Sequence, residues 1–257
     1  MSDPIWLTDV LRKAGLTVRE LPGAYERGHG DFGSIWGIVA HHTGSNGASA
    51  ESIAHHPELG LCSQLHLGRD GVFTLCGVGI AWHAGQGSYP GLPTNNANQC
   101  TIGIEAASDG GGRPGLPHRT GWPPAQYEAY VTGVAAILNR LGHPSTRVIG
   151  HKEWAGTAQG KWDPGAIDMG TFRADVARAQ LRLKNPAPTP GGTLMALTDK
   201  EQRELLANTR IIRDQLGPKL DAWGAGSSFG KDAAGRELTQ RDGIIAKLNA
   251  ILKAVSK

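Results

Sequence analysis

One stretch limits the fold of this chain more than any other: "KNPAPTPGGT", residues 184 to 193, where proline and glycine crowd out almost every apolar side chain. Such a run forms neither helix nor strand; it is the composition of an extended, solvated spacer. It divides the 257 residues into a domain of ordinary size, 1 to 184, a linker, 185 to 193, and a C-terminal piece, 194 to 257. A hydrophobic fraction of 39% gives the larger part enough apolar side chain for a real core. The 37 glycines and 15 prolines predict many turns and long loops around it.

In the larger part, short apolar runs alternate with helical patterns. "IWGIVAHHTG" (35 to 44), "CTIGIEAAS" (100 to 108) and "RVIG" (147 to 150) read as strands. "SQLHLGRDGVFTLCG" (63 to 77) carries a hairpin signal at Asp70-Gly71. Residues 123 to 142 form a helix opened by Pro124 and stopped by Gly142, with Tyr127, Tyr130, Val131, Val134, Ile137, Leu138 and Leu141 at helical spacing; residues 171 to 184 form a closing helix. Strands interleaved with helices predict an α/β fold, a central mixed sheet flanked by helices.

The C-terminal piece reads differently. Residues 198 to 217 start with Thr198 and Glu201 in capping-box positions, and 239 to 257 place Ile244, Leu248, Ile251 and Val255 on a heptad-like seam. A glycine-rich connection, 223 to 235, joins two expected amphipathic helices that form a hairpin or associate with another chain. Lys+Arg and Asp+Glu balance at 15 each through residue 185, so the net charge of +3 sits in the C-terminal piece. No basic run is interleaved with aromatics, which argues against nucleic acid as a partner. No stretch approaches the roughly 20 apolar residues of a membrane span, and the opening "MSDPIWLTDVLRKAG" lacks the apolar run of a secretion signal. Cys62, Cys76 and Cys100, odd in number and unpaired in spacing, read as small buried hydrophobes of a chain made in a reducing cytoplasm.

Ten histidines are unevenly placed. His29, His118 and His143 read as loop or surface residues, and His55 and His56 lie in a polar loop. His41 and His42 end a strand, His83 sits in "AWHAG", and His151 follows a strand, the places where a sheet presents a site. Strand neighbours point to opposite faces, so one of His41 and His42 at most belongs to a common site. His42, His151 and Asp163 would supply two imidazoles and a carboxylate, the ligand mix of a catalytic zinc with an open fourth position. Glu105, a carboxylate inside the apolar "TIGIEAA", is expensive unless paired or functional.

Taken in order, "IVAHHTGS", "SQLHLGRDGVFTLCG", "AWHAG", "TIGIEAAS", "VIGHKEW" and "GKWDPG" resemble the zinc-dependent N-acetylmuramoyl-L-alanine amidases of the type-2 amidase and peptidoglycan-recognition-protein family. The resemblance implies a zinc ion held by His42, His151 and Asp163, with Glu105 as catalytic acid/base and Lys161 as oxyanion partner. It implies peptidoglycan as substrate, with His83 and Trp154 as substrate contacts. The linker and second part look like a bacteriophage endolysin, and the opening residues like phages of actinobacteria; such an enzyme is made in the host cytoplasm and acts on the wall after release. A peptidoglycan-binding module without catalysis and a cytoplasmic muropeptide-recycling amidase are the rival readings. Ser63-Gln64 stands where many members have Tyr-His, and the loop from His151 to Lys161 is longer than the family's pattern.

Overall fold

A computed structural model describes residues 3–156 and 159–185, together with two short strands at 228–231 and 237–239. The chain divides into two compact units, Met1–Pro186 and Ala187–Lys257, with the division inside the proline and glycine run.

The first unit holds a six-stranded mixed sheet in the order β1 (Val18–Glu20), β4 (Phe73–Leu75), β3 (Leu65–Leu67), β5 (Thr101–Ala106), β2 (Gly37–His42), β6 (Val148–Gly150). Neighbours run parallel except β3 and β4, which form the antiparallel hairpin expected at Asp70-Gly71. Gly71 adopts φ +82° there, and the Asp70 carboxylate accepts from Val72 N. The sheet is flanked by helices, as the alternating pattern predicts.

On one face lie α1 (Leu7–Lys13), α3 (Pro124–Leu141) and α5 (Met169–Lys184). Ile38, Ala40, Ile102, Ile104 and Ala106 from the central strands pack there against Tyr130, Val134, Ile137 and Leu138 of α3 and against Phe172 and Val176 of α5. Pro124 opens α3, and Gly142 closes it in the left-handed region at φ +71°. Asp168 caps α5 by accepting from Thr171 N at 2.7 Å.

The opposite face is thinner. Val39 and Ile149 meet Trp154, Ala84 and Ala97 in a small second cluster, and Ile53 and Ala54 join Leu61, Cys76 and Ala81 in a third. Two short helices border it, α2 (Ala50–Ala54) and α4 (His151–Ala155). Trp154 is 1% exposed within this cluster, so the sequence expectation of a substrate contact is corrected: a tryptophan among turn-formers is here a core residue on an unexpected helix.

Among the described residues no helix is long and apolar enough to cross a membrane. The three cysteines are free; Cys76 is buried, Cys62 and Cys100 half-buried. The helices expected over 198 to 217 and 239 to 257 lie outside the described residues, apart from Thr239. Within the stretch read as a glycine-rich connection lies β7 (Ser228–Lys231), which pairs antiparallel with β8 (Glu237–Thr239) just beyond it.

Candidate metal centre and active site

The site grows from the parallel pairing of β2 with β5, which sets His41 beside Glu105 and His42 beside Ala106. Residues in register share a face. Ile38, Ala40, Ile102, Ile104 and Ala106 point to the helices, so His41 and Glu105 point the other way, onto the open face. His151 arrives there as the first residue of α4, directly after β6. Asp163 comes from the loop that follows, which Lys152 ties down: its N–H donates to Asp163 O at 2.8 Å and its Nζ to Pro164 O and Ile167 O at 2.9 and 2.6 Å. Glu153 holds α4 in place, accepting from Gly150 N and pairing with both terminal guanidinium nitrogens of Arg173 on α5.

Three ligand-type atoms converge. His41 Nδ1 lies 3.1 Å from His151 Nδ1 and 3.0 Å from Asp163 Oδ2, which is 3.1 Å from His151 Nδ1. This is the group among the described residues able to hold a metal ion. Ligands about 2.0–2.1 Å from a tetrahedral zinc stand roughly 3.3 Å from one another, so the spacing fits such an ion. His151 Nε2 faces Ala84 O at 3.0 Å. That carbonyl only accepts, so Nε2 donates to it and Nδ1 is the nitrogen turned toward the other two ligand-type atoms.

The expectation that His42 joins this set is corrected. His42 shares its face with Ile38 and Ala40 and turns at the strand end toward a different neighbourhood. Its Nδ1 accepts from Gly165 N at 3.1 Å, and its ring stands edge-on to Trp162 at 4.6 Å. Gly110 makes room for it, since a Cβ there would lie 2.3 Å from His42 Cε1.

Glu105 has an Oε2 that is buried and without a hydrogen-bond partner, while its Oε1 is 3.8 Å from His41 Nδ1. Burial, reinforced by the charge of Asp163 and partly offset by Lys161, pushes its carboxyl up to about 8. Burial likewise brings His41 down to about 4, so its ring is neutral near pH 7. His83, also buried, is lowered well below the ordinary imidazole range, first by desolvation and then by the nearby His41. Lys161 is exposed at the rim, close enough for its charge to act on Glu105.

A cavity of about 640 Å³ opens over this group. His83, Glu105, His151, Lys161 and Asp163 line it together with His42 and Trp162, as do Leu59, Cys62 and Trp82. Of the residues singled out from sequence, the structure therefore gathers Glu105, Lys161, His151, Asp163 and His83, leaves His42 beside the group, and excludes Trp154. Ser63 and Gln64 do not reach the cavity. Gln64 instead bridges Gly103 N and Gly79 O from a fully buried position.

Three further residues were not singled out for the site by sequence. His41 was one of two alternatives at a strand end. Lys152 sits in "VIGHKEW" as an ordinary surface lysine. Tyr130 read as a core position of α3, yet its hydroxyl accepts from His41 N at 2.9 Å and lies 3.1 Å from both His41 O and Ile104 O, clasping the strand ends that carry His41 and Glu105.

The chain is 45% identical over 64 residues to the uncharacterized protein Rv3766 of Mycobacterium tuberculosis, a match that spans 24% of this chain and 22% of that protein. Among solved structures it is similar to a selenomethionine derivative of AmpD, at 23% identity over 62% of this chain and 93% of that one, with a TM-score of 0.44. It is similar also to the hydrolase AmiA of Staphylococcus aureus in complex with its ligand, at 14% identity over 71% and 94% of the two chains and a TM-score of 0.46. The Ph2119 endolysin from Thermus scotoductus MAT2119 bacteriophage Ph2119 is similar at 18% identity over 62% and 98%, with a TM-score of 0.42. The model of the N-acetylmuramoyl-L-alanine amidase family matches residues 31–166, more than half of the chain and every residue that lines the cavity. The chain belongs to the N-acetylmuramoyl-L-alanine amidase family.

Proposed function

We propose that this chain is a zinc-dependent hydrolase of the amide between the lactyl group of N-acetylmuramic acid and the L-alanine of the peptidoglycan stem peptide. The observation that carries the reading is the buried convergence of His41 Nδ1, His151 Nδ1 and Asp163 Oδ2 beside the unpartnered Glu105. Imidazole lone pairs and a carboxylate repel one another unless a proton or a cation stands between them, and burial disfavours the extra proton on His41. His41, His151 and Asp163 would hold the zinc, which when bound supplies Lewis acidity to the scissile carbonyl and the attacking water.

The chain's own groups do the rest. Glu105 takes the proton of the attacking water on its free oxygen and returns it to the departing amine of L-alanine. Lys161, at the rim, stabilises the negative oxygen that develops on the tetrahedral carbon. Tyr130 holds the backbone of both strands so that the base and the metal-facing imidazole keep their spacing. A binding-only module needs neither Glu105 nor the third ligand Asp163, and the presence of both in one pocket supports catalysis.

The division at the proline and glycine run suits an enzyme of insoluble walls, where a second unit adds wall contact or self-association while the first cuts. On that basis we extend the reading to a lytic role at the end of phage infection.

Digestion of purified peptidoglycan tests the reaction. Mass spectrometry is expected to find free stem peptides with an L-alanine amino terminus, lost after chelation and restored by zinc. New reducing sugar ends, or undiminished release after complete zinc removal, would overturn the reading. Lys161→Ala is expected to lower kcat by about 10²-fold, the scale of one lost oxyanion donor, with unchanged zinc content.

A further inference from the structure

We propose that the dipeptide His83–Ala84, clamped by Asn98, is a positioning element that sets both metal-facing imidazoles in the Nε2–H form. The inference rests on the metal-site reading above and deepens it. For His41 and His151 each to offer a lone pair through Nδ1, each ring must carry its single proton on Nε2.

Ala84 O serves His151 in this way, accepting from its Nε2 at 3.0 Å. The partner of His41 is another imidazole, His83, whose Nδ1 lies 3.1 Å from His41 Nε2. Two nitrogens facing each other do not by themselves say which carries the hydrogen. The far side of His83 decides. Its Nε2 lies 3.2 Å from Thr101 O and 3.5 Å from Thr101 Oγ1. That hydroxyl gives its own proton to Ala97 O at 2.7 Å, so both Thr101 oxygens present only lone pairs to the ring. His83 Nε2 therefore carries the hydrogen, its Nδ1 is bare, and it accepts from His41 Nε2. The order of donation runs from His41 through His83 to the backbone of β5.

The geometry is built in. Asn98 Oδ1 accepts from His83 N at 3.1 Å and from Ala84 N at 2.8 Å, fixing both peptide units with one oxygen. Gly103 on β5 leaves the space the ring occupies, since a Cβ there would stand 2.8 Å from His83 Cγ and 2.7 Å from Ser63 Oγ. His83 is 7% exposed and spends both nitrogens on these partners, so it has no polar atom free for substrate. Its role is to orient another residue, and the sequence expectation of a substrate contact becomes that of a positioning residue.

Nitrogen NMR of the full chain carrying ¹⁵N-histidine, with zinc and without it, reads the tautomers directly. With zinc bound, His41, His83 and His151 are expected all to be protonated at Nε2, and His83 also without it; a zinc-loaded His41 lacking that proton, or an Nδ1-protonated His83 in either state, overturns the proposal. Chelator competition supplies the second arm. His83→Leu is expected to weaken zinc binding about 10- to 100-fold with little change in Tm of the metal-free protein. His83→Gln, whose amide can accept from His41 and donate to Thr101, is expected to recover most of that loss. Equal losses for the two variants mean packing alone and overturn the relay. Should zinc fail to bind the unaltered chain, the metal reading falls, while the His83 tautomer still decides this one.

Discussion

Glu105→Gln is expected to slow stem-peptide release by about 10² to 10⁴-fold, the range of a lost general base, and at the same time to stabilise the metal-free protein at alkaline pH. The second effect follows from where the carboxyl sits. Burial, then the charge of Asp163, raises it from an unfolded value near 4.5 to about 8. Between those values the folded chain holds a proton that the unfolded chain has released, so folding stability contributed here is whole below the lower value and falls as pH rises to the upper one. His41 works in the opposite sense, with its folded value about 4 against 6.5, and its contribution is complete by pH 6.5. From pH 6.5 to 8 the Glu105 contribution stands alone of the two and amounts to about 2 kcal/mol. Urea unfolding of the metal-free protein over that span should show the decline in the parent chain and not in Glu105→Gln. Equal declines would mean that Glu105 is ionised as in water, and its place as base would lose its physical ground. A bound dication favours the carboxylate and so brings the base nearer to working pH.

Much of this arrangement is written locally. Pro124 and Gly142 bracket α3, Asp70-Gly71 turns the β3–β4 hairpin, and the proline and glycine run parts the two units, because each is a backbone preference that one or two residues decide. Glu105 is legible for another reason: a carboxylate in an apolar strand has few harmless explanations. The choice between His41 and His42 is not local. All six residues of β2 are buried, so the strand shows none of the inside and outside alternation that reveals a face. The signal lay in comparing two strands. Glu105 alternates with Ile102 and Ile104 as His41 alternates with Ile38 and Ala40, and parallel register then sets the two polar groups on one face. The backbone acceptors that orient the histidines leave still less trace, since Ala84 O, Thr101 O and the Tyr130 clasp depend on where loops and a helix pack rather than on residue type.

The paired substitutions His41→Ala and His42→Ala separate the two strand-end histidines most sharply. Removing His41 leaves His151 and Asp163 alone at the centre, two ligands where a catalytic zinc takes three from the protein. Zinc is expected to be lost on desalting, and stem-peptide release to fall by at least about 10³-fold, since both the Lewis acid and the order around Glu105 go with it. Removing His42 takes away the acceptor of Gly165 N and the ring against Trp162, which destabilises the fold by roughly 1–3 kcal/mol through one buried N–H left unpaired. That variant is expected to keep its zinc and most of its activity at temperatures where it stays folded. Zinc content by mass spectrometry of both variants, beside their thermal midpoints, reads the distinction without relying on turnover. The reverse pattern, zinc lost with His42 and kept without His41, would return the metal to the other side of β2 and remove the partner that the His83 relay is built to serve.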